Sequence, residues 1–77
     1  MQINIIIFGQ LTDITGTGNL MLTGVIDTNT LVAELNRKYP GLENVKYVIA
    51  VDKKVITENS IINEHNTIAL MPPFSGG

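Results

Sequence analysis

The sequence predicts an α+β fold in which a mixed sheet of about five strands packs on one main helix. Segments rich in β-branched residues lie near both ends of the chain, and only one central segment has clear helical periodicity. The chain has 77 residues, 44% of them hydrophobic, which suffices for one small core and leaves no room for a second.

Two strands are predicted before the helix. Residues 2–8 are rich in β-branched side chains, and alternate residues from Ile3 to Ile7 share one face. Residues 9–19 contain several glycine and polar residues, which predicts a loop. Residues 20–23 form the second predicted strand, joined to the first by a connection too long for a two-residue hairpin.

The helical pattern covers residues 30–39. Its apolar side chains fall on one stripe, formed by Leu31, Val32, Leu35 and Tyr39. Thr30 is the expected N-cap, with Thr28 and Asn29 as alternatives. Pro40 follows immediately and ends the helix.

Three further strands are predicted after the helix. Residues 46–51 form the third, and a turn at residues 52–54 leads into a short strand at 55–56. A polar turn at 63–66 precedes the last strand, residues 67–71. We expect this last strand to pair beside the first, which closes the sheet.

The predicted strands are apolar on both faces, but one helix can cover only one face. The second face would hold Ile6, Phe8, Ala69 and Met71, with Tyr47 and Ile49 as further candidates. Loops could cover these side chains, or they could form an ordinary exposed patch. We favour a surface that docks a partner, because so short a chain has little spare length to cover both faces.

Composition excludes several functional classes. Without cysteine there is no disulfide, thiolate metal site or cysteine nucleophile, and no metal site is expected. The net charge is −2, and no basic stripe with aromatic platforms is present, so nucleic acid is not an expected partner. No apolar run approaches the length of a membrane span. A cysteine-free chain without a signal-peptide pattern predicts a cytoplasmic protein that does not bind membranes.

Known catalytic patterns are also missing from the sequence. The glycines at 16–18 form a lone GxG before a strand, which a turn explains better than a dinucleotide site. His65 lies between polar residues in a predicted turn, and is expected to be exposed. The carboxylates are scattered, with no pair spaced for acid–base work. The chain is therefore not expected to be an enzyme on its own.

The most informative segment is residues 72–77, Pro-Pro-Phe-Ser-Gly-Gly, which we call the tail. Consecutive prolines hold the backbone extended. Gly76 and Gly77 permit a close approach that side chains would block. Chance or a cloning remnant could also produce a Gly-Gly end, but neither explains the preceding strand and prolines. The Gly77 carboxylate is the group expected to carry chemistry, after activation by another protein.

The order of elements and several segments resemble the small subunit of molybdopterin synthase, also called molybdopterin-converting factor subunit 1. The segments that carry this resemblance are Leu-Val-Ala-Glu-Leu at 31–35, Tyr-Pro at 39–40, Val-Ile-Ala-Val at 48–51 and the whole of 67–77. Two single residues and one four-residue segment depart from the family pattern. Residues 63–66 replace an Asp-Gly-Asp turn, Asp52 replaces asparagine, and Phe74 replaces valine.

The resemblance implies a ubiquitin-like β-grasp domain at residues 1–71 and a flexible, sulfur-carrying Gly-Gly tail at 72–77. It also implies a sequence of reactions. An E1-like adenylyltransferase uses ATP to adenylate Gly77, and a sulfur donor protein converts the adenylate to a thiocarboxylate. The sulfur then passes to cyclic pyranopterin monophosphate in molybdenum cofactor biosynthesis. Gly76 provides clearance in the partner's pocket.

The implied partner is the large subunit of molybdopterin synthase, in a heterotetramer. The residues expected to contact it are Phe74, Pro73, Pro72, Met71, Ser75, Phe8, Ile6 and Ala69. No cofactor is expected to bind this chain, because the activating enzyme uses the ATP. The alternatives are a related carrier for thiazole or thio-nucleoside synthesis, a protein modifier, and a non-catalytic ubiquitin-like interaction module.

Overall fold

The computed structural model describes residues 2–73, which form a mixed sheet packed on one main helix, as the sequence predicts. The elements in chain order are β1 (Gln2–Ile7), α1 (Leu11–Thr15), β2 (Asn19–Thr23), α2 (Thr28–Lys38), a 3₁₀ helix (Pro40–Asn44), β3 (Val48–Val51), β4 (Lys54–Ile56) and β5 (Ile68–Met71). The strand order across the sheet is β2-β1-β5-β3-β4. β1 and β5 are parallel neighbours, whereas the other pairs are antiparallel. The predicted pairing of the last strand beside the first is confirmed.

The core lies between one face of the sheet and α2. Ile5 of β1 pairs with Ile68 of β5, and both are fully buried. Leu31 and Leu35 of α2 belong to the same buried cluster. Burying a side chain of this size contributes about 1.5–3 kcal/mol, so the alternation of Ile residues along β1 fixes which face turns inward.

Helix α2 begins at Thr28, two residues before the predicted helical pattern. Its N-cap is Asp27, whose carboxylate accepts a hydrogen bond from the Thr30 backbone N–H at 2.9 Å. The Thr30 hydroxyl in turn accepts from the Asp27 N–H at 3.0 Å, which completes a capping box. The predicted N-cap Thr30, and the alternatives Thr28 and Asn29, were therefore wrong. Thr30 has the residue type of an N-cap but serves as the reciprocal partner inside the first turn.

The segment predicted as a loop between β1 and β2 contains the short helix α1. Leu11 and Thr15 are buried on its inner side, and Gly16, with φ of 74°, ends the helix. Five residues are too few to show helical periodicity in the sequence. Tertiary packing, rather than local pattern, stabilises this element.

Two of the departures from the family pattern meet in the structure. Asp52 lies in the turn between β3 and β4, and its carboxylate accepts from the Thr67 N–H at 2.8 Å and the Asn66 Nδ2 at 2.7 Å. Asp52 and Lys53 both have positive φ. This contact ties the β3–β4 turn to the residue that precedes β5, and so helps to place the strand from which the tail emerges.

Candidate docking surface and tail origin

The sheet face opposite α2 carries an apolar patch. Its exposed and half-buried apolar side chains are Ile6, Phe8, Met21, Val48, Val55, Ala69 and Met71, and we call them the outer patch. Ile6 pairs with Ala69 across the β1–β5 junction, which places both on the face opposite the buried Ile5 and Ile68. Phe8 is 47% exposed. The four side chains expected on this face, Ile6, Phe8, Ala69 and Met71, therefore share it.

Three members of the outer patch were missing from the prediction, namely Met21, Val48, which pairs with Met71, and Val55. Met21 and Val55 lie on the edge strands β2 and β4 and are largely exposed. Met21 pairs with Asn4, and Val55 pairs with Ala50. The alternation of Leu20 and Leu22 could have indicated that Met21 points outward. The position of Val55 follows only from the register between β3 and β4.

Tyr47 and Ile49 do not belong to this face, so that part of the prediction was wrong. Ile49 is buried and pairs with the inward-facing Leu70. Tyr47 packs against the core and is half-buried, and this burial raises the pKa of its hydroxyl. The sequence around 47–51 is apolar at nearly every position, so alternation could not show which set turns inward.

The tail begins where the sheet ends. The Phe8 N–H donates to the Leu70 carbonyl at 2.9 Å, which continues the contact between β1 and β5 one residue beyond the end of β1. Met71 ends β5, and Pro72 has no N–H with which to continue the ladder. Pro72 is half-buried, whereas Pro73 is exposed. The tail origin therefore adjoins the outer patch through Met71.

A groove of about 560 Å³ lies beside the last described residue, Pro73. The start of α2, the residues leading into β3, and the end of β4 line it, with Val32, Tyr47 and Ile56 among the apolar contributors. Pro73 therefore adjoins the groove, whereas Met71, two residues earlier, belongs to the outer patch.

The predicted roles of Phe74, Ser75, Gly76 and Gly77 concern residues outside the described range. These roles stay predictions, as do the partner contacts assigned to Pro72, Pro73 and the outer patch. The structure describes only the first two residues of the tail, Pro72 and Pro73, and the outer patch beside them.

An ion pair lies on helix α2, away from the outer patch. Arg37 and Glu34 form an ion pair at 2.8 Å on α2, and the hydrogen bond from Arg37 lowers the pKa of Glu34. The His65 side chain is 90% exposed, as its polar surroundings predicted.

Among residues 2–73, no group of three or more His, Asp or Glu side chains could hold a metal ion. No helix in the same range is both long and apolar enough to cross a membrane.

The family model for ThiS matches residues 5–77. The chain belongs to the ThiS family. An Arabidopsis thaliana relative, the molybdopterin synthase sulfur carrier subunit, is 30% identical to this ThiS-family chain over 81 residues, covering 100% of the chain and 84% of the relative. The resemblance seen in the sequence is confirmed at the level of the family.

Solved structures agree with this placement. One chain in the complex of subunits 1 and 2 of molybdopterin-converting factor from Helicobacter pylori is 25% identical to this chain. The two superpose with a TM-score of 0.75, and the match covers 100% of both chains. Small archaeal modifier protein 1 from Methanosarcina acetivorans matches with 22% identity and a TM-score of 0.82, over 99% of this chain and 96% of that one. The ThiS-family chain therefore has the predicted ubiquitin-like β-grasp fold.

Proposed function

We propose that this chain is the sulfur-carrier subunit of a molybdopterin synthase. The observation that carries the proposal is the match to the ThiS family through residue 77, together with 30% identity to a plant molybdopterin synthase carrier across the whole chain. The fold supports this proposal, because the tail follows directly on β5, whose last residue, Met71, belongs to the outer patch.

The proposed chemistry takes place at the Gly77 carboxylate. A carboxylate is a poor electrophile, so an E1-like adenylyltransferase first joins it to the AMP portion of ATP and releases pyrophosphate. A sulfur donor protein then supplies the sulfur that displaces AMP and leaves a thiocarboxylate. The thiocarboxylate sulfur then attacks cyclic pyranopterin monophosphate, and water cleaves the resulting thioester, which leaves the sulfur on the pterin and restores the Gly77 carboxylate. The carrier contributes position and access, and the catalytic groups belong to its partners.

The proposed partner is the large synthase subunit, and a heterotetramer is expected. The Helicobacter pylori protein with the same fold is solved as a complex with a second subunit, which supports such an assembly. The outer patch supplies apolar area beside the tail, and patches of this kind mark interaction sites. We assign docking to Ile6, Phe8, Ala69 and Met71, and entry into the partner's pocket to Phe74, Ser75, Gly76 and Gly77.

Reconstitution tests this proposal. The chain is incubated with an adenylyltransferase, ATP and a sulfur source, and then with a large subunit and cyclic pyranopterin monophosphate. We expect product formation that depends on every component. The matched control carries one extra residue after Gly77, which leaves residues 2–73 intact but moves the carboxylate. Equal activity of the extended chain would contradict a reaction at Gly77.

A second candidate is a related carrier or a protein modifier. Its support is the structural match to small archaeal modifier protein 1, which has the same fold. Immunoblots of cell extract under denaturing conditions distinguish the two candidates. Adducts that survive denaturation and contain an isopeptide bond to Gly77 would favour the modifier. Sulfur transfer to cyclic pyranopterin monophosphate in the reconstituted system, without such adducts, would favour the synthase subunit over both the modifier and a related carrier. The cytoplasmic location stays a prediction.

A further inference from the structure

Gly9 and Pro72 form a close contact at the point where the tail leaves the sheet. Gly9 has φ of +61°, a conformation that favours glycine. A Cβ atom on Gly9 would lie 2.9 Å from Cγ of Pro72 and 3.4 Å from Cδ. The absence of a side chain at residue 9 is therefore what makes room for the proline ring. We call this contact the tail seat.

The tail seat is anchored on the Gly9 side. The Thr12 backbone N–H donates to the Gly9 carbonyl at 3.2 Å, and the Thr12 hydroxyl donates to the same oxygen at 2.8 Å. One residue earlier, the Phe8 N–H donates to the Leu70 carbonyl at 2.9 Å. Because Gly9 is held between the end of β1 and the first turn of α1, it cannot move aside without breaking hydrogen bonds.

The geometry points to Gly9 as a positioning residue that sets the direction in which the tail leaves the outer patch. This inference rests on the proposed function, in which the Gly77 end must reach a partner's pocket while the outer patch is docked. An extended tail from Pro73 to Gly77, at about 3.1 Å per residue, spans roughly 15 Å, so a rotation of about 20° at Pro72 displaces its end by roughly 5 Å. A small change at the tail seat is therefore amplified at the reacting group.

Substitution of Gly9 by alanine tests the tail seat, and the chain offers matched controls. Gly16 and Gly24 also have positive φ, of 74° and 77°, but a Cβ on either meets no atom within 4 Å. Gly16→Ala and Gly24→Ala therefore impose the same backbone strain without pushing on Pro72. A Pro72→Ala variant removes Cγ and Cδ and adds no strain at Gly9, but it also frees the backbone φ angle that proline restricts. The effect that isolates the seat is therefore the difference between Gly9→Ala made in the wild type and Gly9→Ala made in the Pro72→Ala background.

The first readout is the distribution of tail positions in the free carrier. The sequence contains no cysteine, so Ser75→Cys gives a unique attachment point for a spin label. We expect Gly9→Ala and Pro72→Ala to change the pattern of paramagnetic broadening across the outer patch, and both controls to leave it unchanged. An unchanged pattern in both seat variants would overturn the inference, even if Gly9→Ala alone proved too unstable to measure.

The second readout is sulfur transfer in the reconstituted synthase. We expect Gly9→Ala to lower kcat/KM roughly tenfold or more, since misplacement by a few ångströms is costly to catalysis. The Gly16 control should stay within about twofold of wild type. In a Pro72→Ala background, adding Gly9→Ala should cause little further loss, because the clashing atoms are gone. Equal losses in Gly9→Ala and Gly16→Ala would show that Gly9 is only structural.

The two readouts separate this inference from the proposed function. If the wild-type chain accepts no sulfur at all, the proposed function fails, and the spin-label pattern still decides whether the tail seat directs the tail. If the wild type is active and the seat variants match the controls in both readouts, the inference alone fails.

Discussion

Substitution of Phe8 by aspartate should weaken binding to the large subunit without unfolding the carrier. Phe8 is 47% exposed, so of the about 150–250 Å² that a phenylalanine can bury, roughly 90 Å² remains for a partner. At about 25 cal/mol per Å² this area is worth roughly 2.3 kcal/mol, which corresponds to about a 40-fold rise in Kd. The cost of burying a carboxylate adds to this loss.

Calorimetric titration of the carrier into the large subunit measures the effect, with thermal unfolding as a check on the fold. Ile61→Asp is the matched control. Ile61 is 77% exposed, but it pairs with Asp27 at the start of α2 rather than lying on the outer patch. We expect the control to bind like wild type. A Phe8→Asp affinity within about threefold of wild type, or an equal loss in Ile61→Asp, would refute the docking role of this surface.

Three further predictions concern stability, each measured by urea unfolding. Ile5→Ala should destabilise the fold by about 2–5 kcal/mol through a core cavity, and a loss below about 1 kcal/mol would contradict the inward register of β1. Asp52→Ala should lower the free energy of unfolding by about 1–3 kcal/mol, because two hydrogen bonds are lost. The double variant with Asp52→Asn and Asn66→Asp should recover part of this stability. No recovery would argue against a specific pairing of residues 52 and 66. Asp27 has a pKa lowered chiefly by the Thr30 backbone N–H, so its stabilising effect holds above the unfolded value of 3.8 and is lost as pH falls through the folded value. The stability advantage of wild type over Asp27→Ala should therefore shrink on acidification, and a constant difference would contradict the capping geometry.

The sequence predicted the elements in which apolar side chains recur at a regular spacing. Alternation along β1 identified both its inward face and its outward residues, because a strand between a core and a second surface must separate the two sets. The helical stripe of Leu31 and Leu35 likewise identified the buried side of α2. An extended tail with an unhindered end could be predicted because prolines restrict the backbone, and glycines free it, independently of tertiary context.

The remaining features depend on contacts between distant parts of the chain. The N-cap was misplaced because Asp27 and Thr30 exchange hydrogen bonds, so either residue type fits the first turn. Tyr47 was assigned to the wrong face because the third strand lacks a polar side from which to set the register. The seat between Gly9 and Pro72 joins opposite ends of the sequence. Only the parallel pairing of β1 with β5 brings those two residues together.

We expect Gly77 to carry sulfur. Intact mass spectrometry, followed by fragmentation of the C-terminal peptide, tests it most directly in chain recovered after incubation with adenylyltransferase, ATP and a sulfur source. We predict that one oxygen is replaced by one sulfur, that the change maps to Gly77, and that it disappears when ATP is omitted. An unchanged mass under conditions that load a known carrier, or sulfur located elsewhere in the chain, would contradict this expectation.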